Sequence, residues 1–300
     1  MVTVGRRKFI LGGVGGLAGL IFGAGELVEH GVLPGKLKLD RLLGDCSVPE
    51  PRLTFDRPGR VLSGSFHSRA RGRTVGYTLA YPPGHGPGNR LPLVLYLHAN
   101  GGSHASGLGG VTLARALAAR QDGRALPPMA AMAVDGGDLY WNPHPGDDPQ
   151  AMLVDEVIPR CRRLGLGVAR GSIGVVGISM GGYGALLLVE KHPRLIAAAA
   201  AISPAVWTSY AQARAANAAA FASAADFRRD DVITHASALA GTPLRIASGN
   251  DDPFHPGVVA LTKVLPRSAI VELTAGCHDT SFFASQQHQS LEFLGSHLRA

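Results

Sequence analysis

The sequence predicts an α/β fold, in which helices flank a mostly parallel central sheet and an Ala-rich helical insertion caps one end of it. Continuous apolar runs such as LPLVLYLHA and GSIGVVGIS are typical of strands buried on both faces. These runs alternate with segments of helical spacing, which indicates parallel strands joined by helical crossovers. A serine between glycines, GISMG at 177–181, stands where one such strand gives way to a helix. That arrangement is typical of a nucleophile held on a strained corner rather than of a plain turn.

The first predicted strands begin after residue 59, where alternation and turn residues in RVLSGSFHSRARGRTVGYTLAYPPG predict a pair. The next elements are, in chain order, the buried strand LPLVLYLHA, a helix over SGLGGVTLARALAARQDG, the strand PMAAMAVDGG, a helix over DPQAMLVDEVIPRCRRLG and the strand GSIGVVGIS. Asp148 is the predicted N-cap of the second helix, with Pro149 at its first position.

The second half of the chain contains one ambiguous segment, RLIAAAAAISPAVW. Alanine favours a helix by propensity, whereas the alternation of elements and the Ser-Pro stop favour a strand, which we predict. The Ala-rich stretch at about 206–241 is too long for a simple connection and predicts the cap insertion. Two further strands, PLRIASGNDDPF and SAIVELTAGCHDTSFF, each end in polar residues, and SQQHQSLEFLGSHLRA predicts a closing helix.

The N-terminal segment at 1–30 is set apart from this core. Its basic start, Arg6-Arg7-Lys8, and its uncharged, Gly-rich apolar stretch Phe9–Ala24 resemble a twin-arginine export signal. No clean Ala-x-Ala cleavage site follows, so an uncleaved membrane anchor stays open beside a cleaved signal, and a buried helix is a third alternative. Export predicts a protein of the cell envelope, either membrane-anchored or secreted. Residues 31–58 read as a linker with a short helix, and residues 59–300 as the main domain.

The charge distribution argues against nucleic acid as a partner. The 300-residue chain has a formal net charge of +7, and part of that excess lies in the N-terminal segment. The other basic residues are scattered, and no run combines a basic stripe with aromatic side chains. We interpret these residues as solvent-exposed surface residues rather than as a nucleic-acid-binding site.

The three cysteines, Cys46, Cys161 and Cys277, have no metal-binding spacing. Export would permit one disulfide and leave one thiol over, and the sequence does not say which two would pair.

Ser179 is the predicted nucleophile, because the turn at G-x-S-x-G pushes its hydroxyl above the edge of the sheet. A serine needs a base and the base needs an orienting acid, and in this architecture the chain order is Ser, then Asp or Glu, then His. His278 follows the last strand and is the predicted base. The preceding strand ends at Asp251 and Asp252, of which we prefer Asp252 because the turn from Gly249 is complete there.

The predicted oxyanion hole consists of two backbone N–H groups, those of Met180 and Asn100. Asn100 lies in the loop LYLHANGGSH after a buried strand. His98 in the same loop is predicted to brace it by hydrogen bonding rather than to take part in chemistry.

Seven segments in this order resemble the putative-esterase family of α/β-hydrolases, which includes esterase D, feruloyl esterases and mycolyltransferases. They are LHANGG, VDGGDLYWNP, QAMLVDEVIP, GISMGGYGALL, ISPAVW, GNDDPF and GCHDTSFF. The resemblance extends from about Val61 to the C-terminus and is closest to exported actinobacterial members. It implies the α/β-hydrolase fold and a triad of Ser179, Asp252 and His278.

Two positions depart from the family pattern. Ala99 stands where the family usually has glycine, and its methyl group is expected to affect the oxyanion loop. Cys277 precedes His278 where glycine is common, and that thiol either packs or pairs with another cysteine. The resemblance also implies that Tyr140, Trp141 and His144 lie near the mouth of the site. One alternative is that all three line a substrate pocket. The other is that the two aromatic residues are packing residues.

The expected function is that of a serine carboxylesterase or lipase-like hydrolase, acting on envelope or extracellular esters through an acyl-enzyme. Small-molecule or lipid esters are the expected substrates, membrane association would come from the N-terminal segment, and no metal or organic cofactor is needed. An acyltransferase with the same triad and a non-catalytic envelope binding protein of the same fold are the alternatives.

Overall fold

The computed structural model describes residues 46–300. The predicted signal or anchor at 1–30, and residues 31–45 of the predicted linker, lie outside the described residues and stay predictions. The strands are β1 (Leu53–Phe55), β2 (Val61–Ser68), β3 (Arg73–Ala80), β4 (Leu93–Leu97), β5 (Ala119–Gln121), β6 (Arg124–Ala125), β7 (Ala130–Val134), β8 (Ile173–Ile178), β9 (Ala198–Ile202), β10 (Leu244–Gly249) and β11 (Ile270–Thr274). The α-helices are α1 (Leu113–Leu117), α2 (Pro149–Ala151), α3 (Ile158–Arg163), α4 (Met180–Lys191), α5 (Tyr210–Ala216), α6 (Ala224–Arg229), α7 (His255–Thr262) and α8 (Thr280–His297).

The central sheet has the strand order β11-β10-β9-β8-β4-β7-β3-β2. The six strands from β11 to β7 are parallel to one another, β3 is antiparallel to β7, and β2 is antiparallel to β3. Alternate residues of β4 contribute to different apolar clusters, Leu95 to one and Tyr96 to the other, because successive side chains of a strand point to opposite faces. Helices therefore cover both faces, and the predicted α/β fold with a mostly parallel sheet is confirmed.

The ambiguous alanine run forms β9, as predicted. Its residues pair in parallel with β8 on one side and β10 on the other, and all five are buried. Tertiary pairing outweighs helix propensity here, since a helix at this place would leave the ladders of two neighbouring strands unpaired.

The predicted helix over 106–123 is wrong in its second half. Only α1 is helical, with the Thr112 hydroxyl capping its start, and β5 and β6 follow as an antiparallel hairpin. Asp122 and Gly123 connect these strands with φ values of 50° and 76°, the left-handed pair that a type I′ turn requires. The same hairpin pairs with β1, so a strand lies within the predicted linker and forms a separate three-stranded sheet.

The segment from α2 to α3 starts as predicted, with Asp148 Oδ1 accepting a hydrogen bond from the Ala151 N–H. A π-helical stretch, Met152–Val157, joins the two α-helical parts. It ends two residues before Pro159, whose ring would clash with a carbonyl of the preceding turn and which lacks the N–H that an α-helical hydrogen bond needs.

The Ala-rich region at about 206–241 contains α5, α6 and a short 3₁₀ helix, Ala236–Leu239. The closing helix α8 begins five residues earlier than predicted, because Asp279 caps it through a hydrogen bond from the Phe282 N–H. Within residues 46–300, no helix combines the length and the apolar character needed to cross a membrane.

Candidate active site

Ser179 lies on a strained corner between β8 and α4, with φ 56° and ψ −117°, a combination that residues other than glycine rarely adopt. Three backbone hydrogen bonds hold it there. Its N–H donates to the Ile202 carbonyl at 2.9 Å, and its own carbonyl accepts from the N–H groups of Tyr183 and Ala205 at 3.0 Å each. The surrounding fold therefore determines the conformation of the serine and aims its side chain beyond the sheet edge.

Two glycines beside the serine are required by close backbone approach. A Cβ atom on Gly177 would overlap the carbonyl group of Gly181, and one on Gly181 would overlap the carbonyl group of Leu97 at the end of β4. The tight G-x-S-x-G corner thus depends on the absence of side chains at both positions.

The imidazole of His278 lies between the other two residues of the predicted triad. Its Nε2 is 2.8 Å from Ser179 Oγ, and its Nδ1 is 2.8 Å from Asp252 Oδ2. The second carboxylate oxygen of Asp252 accepts a hydrogen bond from the Phe254 N–H, also at 2.8 Å. Because an ionised carboxylate can only accept, Nδ1 carries the proton and Nε2 is left to accept the serine hydroxyl. This is the arrangement that acyl transfer by a serine requires.

The parallel sheet brings these residues together, since the carboxyl ends of β8, β10 and β11 meet at one edge. The loops after β10 and β11 are also tied to each other. The Asn250 N–H donates to the Thr274 carbonyl at 2.8 Å, and the Asp251 N–H donates to the Gly276 carbonyl at 3.0 Å. Asp252, rather than Asp251, is the acid that contacts the imidazole.

Two phenylalanines that the sequence analysis did not single out flank His278. The ring centroids of Phe254 and Phe283 lie 4.9 and 5.1 Å from that of the imidazole, both in edge contacts. These contacts limit rotation of the imidazole. Their positions shortly after the acid and the base, in DDPF and HDTSFF, are the only signal the sequence offers.

The loop after β4 is braced by His98, as predicted. Nε2 of His98 accepts the Gly136 N–H at 2.9 Å, so the proton is on Nδ1, which donates to the Ala99 carbonyl at 2.8 Å. Burial lowers the pKa of His98, which favours this neutral state. The Ala99 carbonyl also accepts the Gly102 N–H at 2.9 Å, and the Ala99 methyl group is partly buried against the neighbouring apolar cluster.

Asn100 follows this brace at the same edge of the sheet as Met180, because Leu97 of β4 lies opposite Gly177 of β8. Among residues 46–300, the backbone N–H groups of Asn100 and Met180 have no hydrogen-bond partner, which leaves them available to an anion. Their role as the oxyanion hole stays a prediction.

Two aspartates, again missed from the sequence, hold the rest of the loop after β4. Asp138 Oδ1 accepts the Gly101 N–H at 2.6 Å, and Asp135 Oδ1 accepts the His104 N–H at 2.7 Å. Both aspartates belong to the VDGGD segment after β7, the strand beside β4. The segment was identified by its resemblance, but only the loop path shows what its carboxylates hold.

The three residues predicted to lie near the mouth of the site occupy different environments. Trp141 is completely buried and donates from Nε1 to the His98 carbonyl at 3.2 Å. Tyr140 is also buried, with its ring 4.7 Å from that of Trp207, and burial raises its pKa to about 12. His144 is half-buried and its backbone pairs with Asp147. Whether the three line a substrate pocket stays a prediction.

The pairing of the cysteines, which the sequence left open, joins Cys46 to Cys277 and leaves Cys161 free and buried. Cys277 therefore pairs rather than packs as a thiol. Burial raises the pKa of Cys161 to about 12, so this thiol is unreactive at neutral pH.

A model of the family described as "Putative esterase" matches residues 151–269, which include Ser179 and Asp252. No curated protein matches the chain. The chain resembles a solved ferulic acid esterase at 17% identity, over 80% of this chain and 99% of the other, with a TM-score of 0.67. It also resembles an S-formylglutathione hydrolase from Agrobacterium tumefaciens, at 16% identity over 84% and 100% of the two chains, with a TM-score of 0.64.

A third similar structure is the fluorophosphonate-binding serine hydrolase F of Staphylococcus aureus. It shares 17% identity over 80% of this chain and 99% of its own length, with a TM-score of 0.63. At these identities the three structures establish the α/β-hydrolase fold, and the family match confirms the resemblance stated from the motifs.

Proposed function

We propose that the chain, whose residues 151–269 match the model of the "Putative esterase" family, acts as a serine carboxylesterase through Ser179, His278 and Asp252. The observation that carries the proposal is the pair of 2.8 Å hydrogen bonds on opposite nitrogens of one imidazole. In this geometry His278 accepts the Ser179 proton as the serine oxygen attacks the ester carbonyl. The imidazolium, oriented by Asp252, then protonates the leaving alcohol.

The oxyanion formed in this step is stabilised by the N–H groups of Met180 and Asn100. Met180 is the first residue of the twelve-residue helix α4, whose positive end adds to that stabilisation. Losing one such donor typically raises the barrier by about 2.7–4 kcal/mol. Water then attacks the acyl-enzyme with His278 as the base, and the acid product leaves.

The proposed substrates are esters of the cell envelope or the extracellular medium, reached after export. The basic N-terminal segment motivates this localisation, and the disulfide supports it, because disulfides persist in oxidising compartments. Thiol counting on protein recovered from the producing cells tests it. One free thiol per denatured chain is expected, and three would contradict export to such a compartment.

The activity is tested with p-nitrophenyl esters of rising chain length on wild type and Ser179→Ala. Ser203→Ala is a matched control, because this buried serine directly follows the neighbouring strand β9 and its hydroxyl has no hydrogen-bond partner among the described residues. We expect Ser179→Ala to abolish both turnover and fluorophosphonate labelling, while Ser203→Ala keeps both.

Equal turnover by wild type and Ser179→Ala would reject the proposed nucleophile. An unlabelled, inactive wild-type protein would favour a binding protein of the same fold. With an acceptor alcohol added, hydrolysis is expected to exceed transfer, and the reverse would replace the hydrolase by an acyltransferase.

A further inference from the structure

We propose that the Cys46–Cys277 disulfide positions the imidazole of His278 for catalysis, which makes both cysteines positioning residues. The inference rests on the proposed function, in that His278 must be the general base. Cys277 directly precedes His278 in the loop between β11 and α8, so any movement of residue 277 moves the backbone from which the imidazole projects.

The loop is anchored on both sides of these two residues. On one side, the Gly276 carbonyl accepts the Asp251 N–H at 3.0 Å, and on the other, Asp279 Oδ1 accepts the Phe282 N–H at 3.0 Å. Between the anchors, no backbone hydrogen bond within residues 46–300 involves Cys277 or His278. The disulfide is therefore the tether at this point of the loop, and it is covalent.

The same bond holds the segment that begins at Cys46 against the loop that contains His278. Cys46 and the residues directly after it have no helix or strand, and the next regular element is β1. A Cβ atom added to Gly276 would approach Val48 Cγ1 to 2.9 Å and would overlap the Phe282 ring, so Val48 covers the loop closely. Without the bond, this irregular segment would lose its covalent attachment to the loop that contains His278.

The two sulfurs differ in access. Cys277 is fully buried, whereas Cys46 is half-buried, so a reductant reaches the sulfur of Cys46 first. A thiolate of a small dithiol attacks Cys46 Sγ, the S–S bond breaks, and the Cys277 sulfur leaves as a thiolate that takes up a proton. The second thiol of the reductant then displaces Cys46, which yields two protein thiols and the oxidised cyclic disulfide of the reductant.

The experiment compares kcat and KM of oxidised wild type, dithiothreitol-reduced wild type and Cys46→Ala, using a p-nitrophenyl ester. Misplacing a catalytic group by about 1 Å costs about 100-fold, so we expect kcat to fall about 10- to 100-fold with KM within about twofold. Cys46→Ala should show the same loss of kcat and should no longer respond to the reductant. Reoxidation of reduced wild type should restore kcat. Cys46→Ala is preferred to substitution of Cys277, because it leaves the buried position unchanged.

Cys161→Ala is the matched control, since it removes a buried cysteine outside the disulfide. It should leave kcat and the response to the reductant as in wild type. Proton NMR of histidine-labelled protein adds a readout of position, with a low-field Nδ1–H resonance from the His278–Asp252 hydrogen bond in the oxidised form and its loss on reduction.

Reduced wild type that shows three thiols after denaturation, and whose kcat before denaturation is within twofold of the oxidised enzyme, would overturn the inference. Loss of the far-UV circular dichroism signal on reduction would overturn it as well, because the bond would then hold the fold rather than the imidazole. If Cys46→Ala does not fold, the reduced wild type supplies the same comparison. Failure of the proposed function is distinct, since the oxidised enzyme would then be inactive and unlabelled by fluorophosphonate.

Discussion

Replacing Asp252 by asparagine should abolish most of the activity without changing the shape of the side chain. Both carboxylate oxygens are in use, one by His278 Nδ1 and the other by the Phe254 N–H, each at 2.8 Å. Asparagine offers one acceptor for these two donors. When its oxygen faces the Phe254 N–H, its NH₂ group faces Nδ1, and the imidazole must move its proton to Nε2, where it can no longer accept the serine proton.

The opposite amide orientation keeps the productive tautomer but leaves the partly buried Phe254 N–H against another donor. An unsatisfied buried donor costs about 1–3 kcal/mol, which is about a 5- to 150-fold loss of the active population. The asparagine also lacks the negative charge that stabilises the imidazolium in the transition state. Together these effects should lower kcat by about 10⁴-fold, as removal of the triad carboxylate does elsewhere.

The assay is steady-state hydrolysis of a p-nitrophenyl ester, with thermal unfolding to confirm that the variant is folded. Asp251→Asn provides a control of the same chemistry one residue away, at a position whose backbone N–H, on the Gly276 carbonyl, is retained. We expect kcat of Asp251→Asn within about threefold of wild type. A kcat for Asp252→Asn within tenfold of wild type, or a greater loss in Asp251→Asn, would refute the tautomer reasoning.

Three further substitutions probe the corner and its loop. Gly181→Ala should lower the free energy of unfolding by about 1–3 kcal/mol and reduce fluorophosphonate labelling, because the added methyl group overlaps the Leu97 carbonyl. Gly241→Ala is the control: its methyl group meets no atom within 4 Å, so the free energy of unfolding in denaturant should not change. Burial lowers the pKa of His98, so below about pH 6.5 the unfolded state binds more protons than the folded state. The free energy of unfolding therefore decreases as the pH falls below about 6.5. His98→Gln should flatten this loss in urea titrations at successive pH values, and an unchanged pH slope would contradict it. Asp138→Ala should lower kcat more than it raises KM, because the Gly101 N–H in the loop after β4 loses its acceptor. A change in KM alone would indicate a role in substrate binding instead.

The nucleophile corner was predictable because its requirements are local. A serine with left-handed φ between two glycines that cannot carry a Cβ follows from five consecutive residues. Strand and helix alternation, the Asp148 cap and the Asp252 and His278 loops also followed from short-range pattern and chain order. The Asp122-Gly123 hairpin was local as well, and its turn signal was missed in favour of an apparent helical period.

The sequence by itself determined which residue types stand at the ends of which strands, since side-chain period and turn chemistry are properties of neighbouring residues. Only the tertiary structure decided that Cys46 pairs with Cys277, that the buried Trp141 donates to the His98 carbonyl, and that Phe254 and Phe283 flank the imidazole. These outcomes depend on sheet register and on the path of loops between residues far apart in the chain. The spatial neighbours of a side chain are therefore fixed by the whole fold rather than by its own segment.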